Sequence, residues 1–296
     1  MTPELAARTY ALPASDPVRA KLESPFFGRL LPRLVREAGG GRVLDLGCGD
    51  CQAASLAGSG LEGYVGVDLR SPDAECDEEV VVHDLRAGLG PVGREPFDLY
   101  LATFGVASHL DPGELAQLLL EVADHAGSGS LVAFEALGLY SLEWPQLWST
   151  PPGRERLLDY RLGADVSVHP WGPDELGHLF EDAGLQPLRA LDRSLQTGPK
   201  LGDGRYWPGL PPLREAIGRL LGGDESATPL EALTAPLPPL PAGPAARVHH
   251  ALADRRREFV PHLRGGPACL ARAVWGLEGR SGGGFGHGLT MVARVP

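Results

Sequence analysis

The residues best placed to do chemistry in this 296-residue chain lie in the segment VLDLGCGDC, Val43 to Cys51. An apolar run carries one acid, Asp45, two residues before a Gly-x-Gly turn formed by Gly47, Cys48 and Gly49, and a helix-compatible stretch follows. Glycines there let the backbone turn sharply and let a ligand approach closely, which a side chain beyond Cβ would obstruct. Two further acids, Asp68 in VDL and Asp84 in HDL, each end an apolar run of their own. A carboxylate just ahead of the turn repels a pyrophosphate and attracts a cation. A dinucleotide fingerprint, GxGxxG, also needs glycine at position 52, where this chain has Gln52. The loop is therefore read as a cradle for a positively charged ligand.

The elements that must position these acids follow from apolar runs and turn signals. Strands are expected at Arg42 to Leu46, Gly63 to Leu69, Glu79 to His83, Phe97 to Thr103, Ser130 to Glu135 and Gln186 to Arg193, with a last one in GHGLTMVARVP. Helices are expected at Gln52 to Ala57, within Trp171 to Leu185, and at Pro112 to Ala126, where Leu115, Leu118, Leu119 and Val122 fall at i, i+3, i+4 and i+7. Ahead of the first strand, Ser24 can cap a helix, Pro25 suits its first turn, and Gly39 to Gly41 stop it. Strand and helix alternating at this spacing give a doubly wound α/β fold, and continuous runs such as YVGV and VVV fit strands covered on both faces. Residues 1–41 read as an N-terminal helical segment, and 42–193 plus 286–296 as the core. Residues 136–170, aromatic and proline-containing, read as a lid, and 194–285 as a helical and Pro-rich insertion before the last strand. Helical stretches are expected in that insertion at Pro212 to Leu221 and Pro244 to Phe259.

The segment from Val43 to Cys51 resembles the first motif of the class I S-adenosylmethionine-dependent methyltransferases. That resemblance implies a mostly parallel seven-stranded, Rossmann-like sheet and S-adenosylmethionine as cofactor. Asp45 would then face the ammonium of the methionine moiety, with Gly47, Cys48 and Gly49 forming the cradle. It continues at Asp68, placed to accept from two ribose hydroxyls, and at Asp84, which matches the position taking the adenine amino group. Leu69 and Leu85 would flank the purine. Asp98 and the exit Thr103-Phe104-Gly105 resemble the fourth-strand motif that runs beside the donor methyl. Cys51 departs from the motif, standing where many members carry a third glycine.

Under this resemblance the reaction is direct displacement of the sulfonium methyl by an oxygen or nitrogen of a small molecule. His109, a few residues past the fourth strand, and Glu135, read as ending the fifth, are the candidates to receive a proton or hold the acceptor. Tyr140, Trp144, Trp148, Tyr160 and Trp171 supply either an apolar acceptor surface or the lid's own core. The alternatives are a protein or RNA methyltransferase, encouraged only by Arg255, Arg256 and Arg257, and a non-catalytic cofactor-binding scaffold.

Composition narrows the partners. With 27 Lys+Arg against 38 Asp+Glu, a net charge of −11 argues against nucleic acid and anionic membrane surfaces as partners. No apolar run is long enough to span a membrane and the N-terminus lacks the order of a signal peptide, so a cytoplasmic protein is expected. The four cysteines, Cys48, Cys51, Cys76 and Cys269, are expected as reduced thiols. Cys48 and Cys51 form a C-x-x-C, but with no second pair beside it they read as small residues packing a glycine loop, and no metal is expected. His249, His250 and His262 read as a solvated helix face, and the PxxP content near 234–243 as a surface linker. Oligomeric state is not legible in the sequence.

Overall fold

The computed structural model describes residues 23–71, 76–141, 143–151, 157–161, 165–193, 219–224, 245–259, 265–277 and 282–296, with a few isolated positions besides. Most of Pro212 to Leu221, the PxxP stretch and His262 lie outside them. Helix α1 (Ser24–Ala38) comes first. It buries Phe26, Phe27, Leu30, Leu31, Leu34 and Val35 along one side, and Gly39 closes it in the left-handed conformation at φ 78°. Ser24 does not cap it: Glu23 holds the cap position, and no side chain bonds the first turn.

Strand β1 (Arg42–Leu46), helix α2 (Gln52–Ala57), β2 (Gly63–Asp68), β3 (Glu79–Val82), β4 (Leu99–Ala102), helix α3 (Pro112–His125) and β5 (Leu131–Leu137) build the first part of the sheet. A hairpin of β6 (Leu158–Arg161) and β7 (Asp165–Val168), absent from the sequence reading, lies in the lid segment. Helix α4 (Pro173–Asp182) and β8 (Gln186–Arg193) follow, then α5 (Ala245–Phe259), α6 (Gly266–Leu277) and β9 (Gly288–Arg294). The seven-stranded sheet runs β3-β2-β1-β4-β5-β9-β8. Its strands pair in parallel except β9, which is antiparallel to both β5 and β8.

Alternate residues of each strand feed two cores. Leu44, Leu46, Tyr100, Ala102, Val132 and Phe134 pack with the apolar side of α3 and with Leu176 and Phe180 of α4. Val43, Tyr64, Leu99, Leu101, Leu131 and Ala133 pack with α1 and α2 on the other side. Both sheet faces are thus covered, as uninterrupted apolar strands require. Helix α3 starts from a full capping box, in which the Asp111 carboxylate accepts from the Glu114 amide and the Glu114 carboxylate from the Asp111 amide.

Strand β5 corrects one functional expectation. It runs two residues past Glu135, which is therefore an interior strand position and not an exposed end. The Glu135 side chain is fully buried and takes a fork from Arg193, Nε to Oε1 at 2.6 Å and Nη2 to Oε2 at 3.1 Å. Arg193 also reaches Glu23 at 3.4 Å, and its guanidinium lies over the rings of Phe27 and Phe104 at 5.5 and 5.8 Å. Glu135 is a buried ion-pair partner of Arg193 inside the strand.

The lid is tied to the strand ends by backbone and indole bonds. Trp171 N–H donates to the Leu137 carbonyl, Trp144 Nε1 to the Gly138 carbonyl, and Trp148 Nε1 to the Ser141 carbonyl. Trp144, Trp148 and Trp171 are all buried. Trp144 packs with Leu137 and Val168, Trp148 with Val248, and Trp171 belongs to the core on the α3 side of the sheet. Helix α5 of the insertion rests on this lid, with Val248 against Trp148 and the Arg247 guanidinium over the Tyr140 ring. Among the described residues no helix is long and apolar enough to cross a membrane.

Arg193→Met is expected to lower stability by about 3–5 kcal/mol, because it strands two buried carboxylates that now share one cation. A fall in the urea midpoint with an unchanged slope reads this out; a midpoint within error of wild type contradicts it.

Candidate functional site

The site lies at the topological switch point. β1 is flanked by β2 on one side and β4 on the other, so the loops leaving β1 and β4 diverge and open a crevice at their carboxyl ends. The loop after β1 is held by the next strand: the Gly47 and Cys48 amides both donate to the Val67 carbonyl, at 2.7 and 3.2 Å, and the Gly49 amide donates to Asp68 Oδ2 at 2.9 Å. Its two glycines differ. Gly47, at φ 75°, faces Val106 so closely that a Cβ would stand 2.6 Å from a valine methyl. Gly49, at φ 55°, has nothing within 4 Å of where its Cβ would be, so that side of the loop is open. Cys48 points the other way, buried against Gly66, whose missing Cβ makes room for the sulfur.

The three predicted carboxylates have different surroundings. Asp45 is buried, 1% exposed, with Oδ2 accepting the Tyr64 hydroxyl at 2.6 Å and Oδ1 without a hydrogen-bond partner. Burial pushes its carboxyl up to about 7, with the nearby Asp68 charge adding to the rise and the Tyr64 hydrogen bond opposing it. Asp68, at the end of β2, accepts the Gly49 amide and, at 3.3 Å, the Arg70 amide. Asp84 is partly exposed and is embraced by Arg86 through Nε at 2.9 and 3.0 Å and Nη2 at 2.5 Å; this holds its carboxyl below the usual range. Leu69 is half-buried, and Leu85 belongs to the core beneath the crevice.

The loop after β4 carries the remaining candidates. Thr103 is buried, and Phe104 and Gly105 both take positive φ, 56° and 86°. For Phe104 this is a disfavoured backbone, held by a tilted contact of its ring with Phe27 at 4.6 Å and by the Arg193 guanidinium. Val106 then covers Gly47, so the two loops touch there before they diverge. His109 ends the short turn that follows; burial pushes its imidazole down to about 4, so it is neutral near pH 7. Its neighbour Ser108 accepts the Leu137 amide through its hydroxyl and the His169 amide through its carbonyl. His109 is thereby fixed beside the ends of β5 and the lid.

Several participants were missed in the sequence. Tyr64 reads as one more apolar strand residue, and only the β1–β2 register sets it beside Asp45. Arg70 bridges to Asp50 of the glycine loop at 3.2 Å. His287, just ahead of β9, pairs through Nδ1 with Glu143 Oε2 at 2.8 Å; both are buried in the lid region at the end of β5. Cys51 and Cys76, expected as thiols, form a disulfide, while Cys48 and Cys269 are free. The two partners are 25 residues apart, brought together because the loops after β1 and β2 run side by side. Among the described residues no three His, Cys, Asp or Glu side chains are grouped to hold a metal ion.

A sheet of order β3-β2-β1-β4-β5-β9-β8 with β9 reversed, carrying acids at the carboxyl ends of β1 and β2, is the architecture that the motif resemblance implies. The fold is that of the class I methyltransferases. No family model matches the chain, and no curated protein does. Among solved structures it is similar to an S-adenosylmethionine-dependent methyltransferase from Archaeoglobus fulgidus, at 16% identity and a TM-score of 0.48, over 92% of this chain and 94% of that one. It is similar also to one from Clostridium acetobutylicum, at 14% identity and 0.47, over 59% and 86%. The cyclase SpnF stands at 16% identity and 0.47, over 91% and 81%. Fold alone leaves the reaction to be argued from the site.

Two predictions follow from the geometry. Asp45 has its folded-state pKa raised, so its contribution to stability is full below the ordinary carboxylate range and is lost as pH rises through about 7. The thermal midpoint of the ligand-free protein should fall between about pH 4 and about pH 7, and Asp45→Asn should flatten that fall; identical profiles contradict the assignment. Gly47→Ala should destabilise by about 2 kcal/mol or more, through collision and backbone strain together, and Gly49→Ala by only about 1 kcal/mol, through strain alone. Urea unfolding of both variants checks the order.

Proposed function

We propose that this chain is an S-adenosylmethionine-dependent methyltransferase acting on an oxygen or nitrogen of a small molecule. The observation that carries the reading is the buried Asp45 carboxylate, with one oxygen unpartnered, beneath a glycine loop whose second glycine leaves one side open. A desolvated carboxylate with a single hydrogen bond is completed by a cation. When bound, S-adenosylmethionine supplies the electrophilic methyl, and it brings an ammonium and a sulfonium that match this charge.

In this reading Asp45 attracts the ammonium, Gly47, Cys48 and Gly49 give the backbone room to approach, and Asp68 uses its remaining lone pairs for the ribose hydroxyls. Asp84 meets the adenine amino group only while sharing its carboxylate with Arg86. Leu69 covers one purine face; Leu85, being in the core, supports the floor rather than the ring itself. Thr103 lines the wall beside the methyl. His109, neutral because it is buried, accepts the proton of an acceptor hydroxyl or amine as the methyl arrives. The lid over the end of β5 excludes water and orients the acceptor.

Isothermal calorimetry with S-adenosylmethionine, with a nicotinamide dinucleotide as control, tests the reading. Expected is binding of the first alone, with affinity rising through about pH 7 as Asp45 ionises and falling at least about tenfold in Asp68→Ala. Binding of the dinucleotide instead would overturn it. Once an acceptor has been found by transfer of labelled methyl to compounds of a cell extract, His109→Gln should lower kcat by about a hundredfold with donor affinity unchanged. Label that enters only protein or RNA would move the acceptor to those classes, and absence of any transfer would leave a cofactor-binding scaffold.

A further inference from the structure

We propose that the Cys51–Cys76 disulfide is a redox latch on the donor cradle: a dithiol reductant opens it, and opening loosens the glycine loop and weakens donor binding. The effect on the donor rests on the function proposed above; the effect on the loop does not.

The position of the bond makes the argument. Cys51 is the last residue of the glycine loop and the cap residue of α2, and Cys76 lies in the connection from β2 to β3. The disulfide therefore crosses from the loop that would hold the methionine and ribose portions to the connection beyond Asp68. Two weaker ties span the same gap: the Gly49 amide on Asp68, and the Arg70–Asp50 pair, whose aspartate is 68% exposed. Water and salt compete with both. Among the described residues that tie the loop to the connection beyond Asp68, the covalent bond is indifferent to them, while the Gly47 and Cys48 amides on Val67 fasten the loop's base in either redox state. Cys51 moreover occupies a left-handed backbone, φ 55°, which residues with a Cβ disfavour. Once the cross-link opens, nothing covalent keeps Cys51 there, and Gly49 lies two residues away.

The choice of partner follows from the surroundings of the third nearby sulfur. Cys48 is three residues from Cys51, but it is buried against Gly66, and burial together with the Asp45 and Asp68 charges pushes its thiol far up. It does not form the thiolate that exchange with the disulfide requires. Cys51 is buried and Cys76 only half-buried, so an incoming thiolate meets Cys76 first. Attack there forms a mixed disulfide, and Cys51 departs as a thiolate and takes a proton. The second thiol of the reductant then displaces Cys76, which leaves as a thiol, and the reductant is released as its own disulfide. Two electrons pass, and two protein thiols are made. A disulfide oxidant reverses the sequence.

Three measurements on the full chain test this. Thiol titration after denaturation should find two thiols, Cys48 and Cys269, before dithiothreitol treatment, and four after it. Hydrogen exchange of the amides from Gly47 to Cys51 should quicken by at least about fivefold on reduction. Donor affinity by calorimetry should weaken by a similar factor of about five. Cys76→Ser should behave as reduced wild type whether or not dithiothreitol is present, and Cys269→Ser should keep the full response. Four thiols before reduction, or exchange and affinity alike in both states, overturn the latch. Redox-sensitive exchange without donor binding in either state keeps the latch on the loop and overturns the proposed function. Equal donor binding in both states does the reverse.

Discussion

The constraint on which the site depends is a carboxylate placed where water does not reach it. Asp45 is a strand residue whose side chain points to the α1 and α2 face, opposite Gly66 of β2 and Leu101 of β4. One hydrogen bond, from Tyr64, serves it. A charge-assisted bond of that kind is worth about 1.5–3 kcal/mol, while removing a carboxylate from water costs several. The deficit appears as a carboxyl that ionises only near neutrality. The neighbouring geometry accommodates the same residue: Gly66 gives space to Cys48, Cys48 leads into the open Gly49, and Asp68 closes the loop from the far side. In the function proposed above, a cation entering above the loop restores the balance that folding leaves incomplete.

Glu135 shows the opposite solution to the same problem two strands away. It too is an acid near the carboxyl end of a central strand, and its burial is complete. Arg193 satisfies both of its oxygens and is itself shared with Glu23. That cluster joins the start of α1, the middle of β5 and the end of β8. Through Phe27 and the Arg193 guanidinium it also holds the Phe104 ring, and with it the disfavoured backbone at the exit of β4. Glu135 therefore contributes to the crevice by shaping one of its walls. Asp45 contributes by remaining unsatisfied.

Local signals made much of the fold legible. The stripe of Leu115, Leu118, Leu119 and Val122 is the buried side of α3, and Gly39 ends α1 as a left-handed glycine should. Asp45, Gly47, Gly49 and Asp68 could be placed because a strand, a turn and a second strand determine their relation over a short stretch of chain. What could not be read depends on register and on distant pairing. The two extra residues of β5 that enclose Glu135 come from its ladder with β9, a strand formed by the last residues of the chain. The Tyr64 contact needs the β1–β2 register, and the Cys51–Cys76 bond needs two loops whose proximity is settled by strand order. The hairpin of β6 and β7 lies in a segment whose prolines and tryptophans mask the alternation that marks strands elsewhere.

The same distinction bears on the acceptor side of the crevice. Aromatic residues were the natural candidates to receive a flat substrate, yet Trp144, Trp148 and Trp171 are buried, and the first two donate their indole N–H to carbonyls of the lid itself. Tyr140 is engaged by Phe285 and Arg247. The apolar residues of the lid thus build a rigid frame rather than an open binding surface. Within that frame stand polar groups held by specific bonds: His109 next to the doubly bonded Ser108, and His287 on Glu143. A site framed in this way discriminates by hydrogen bonding more than by apolar fit. Under the function proposed above, an acceptor that presents a hydroxyl or amine is favoured over its isostere without one, because the latter leaves buried polar groups unpaired.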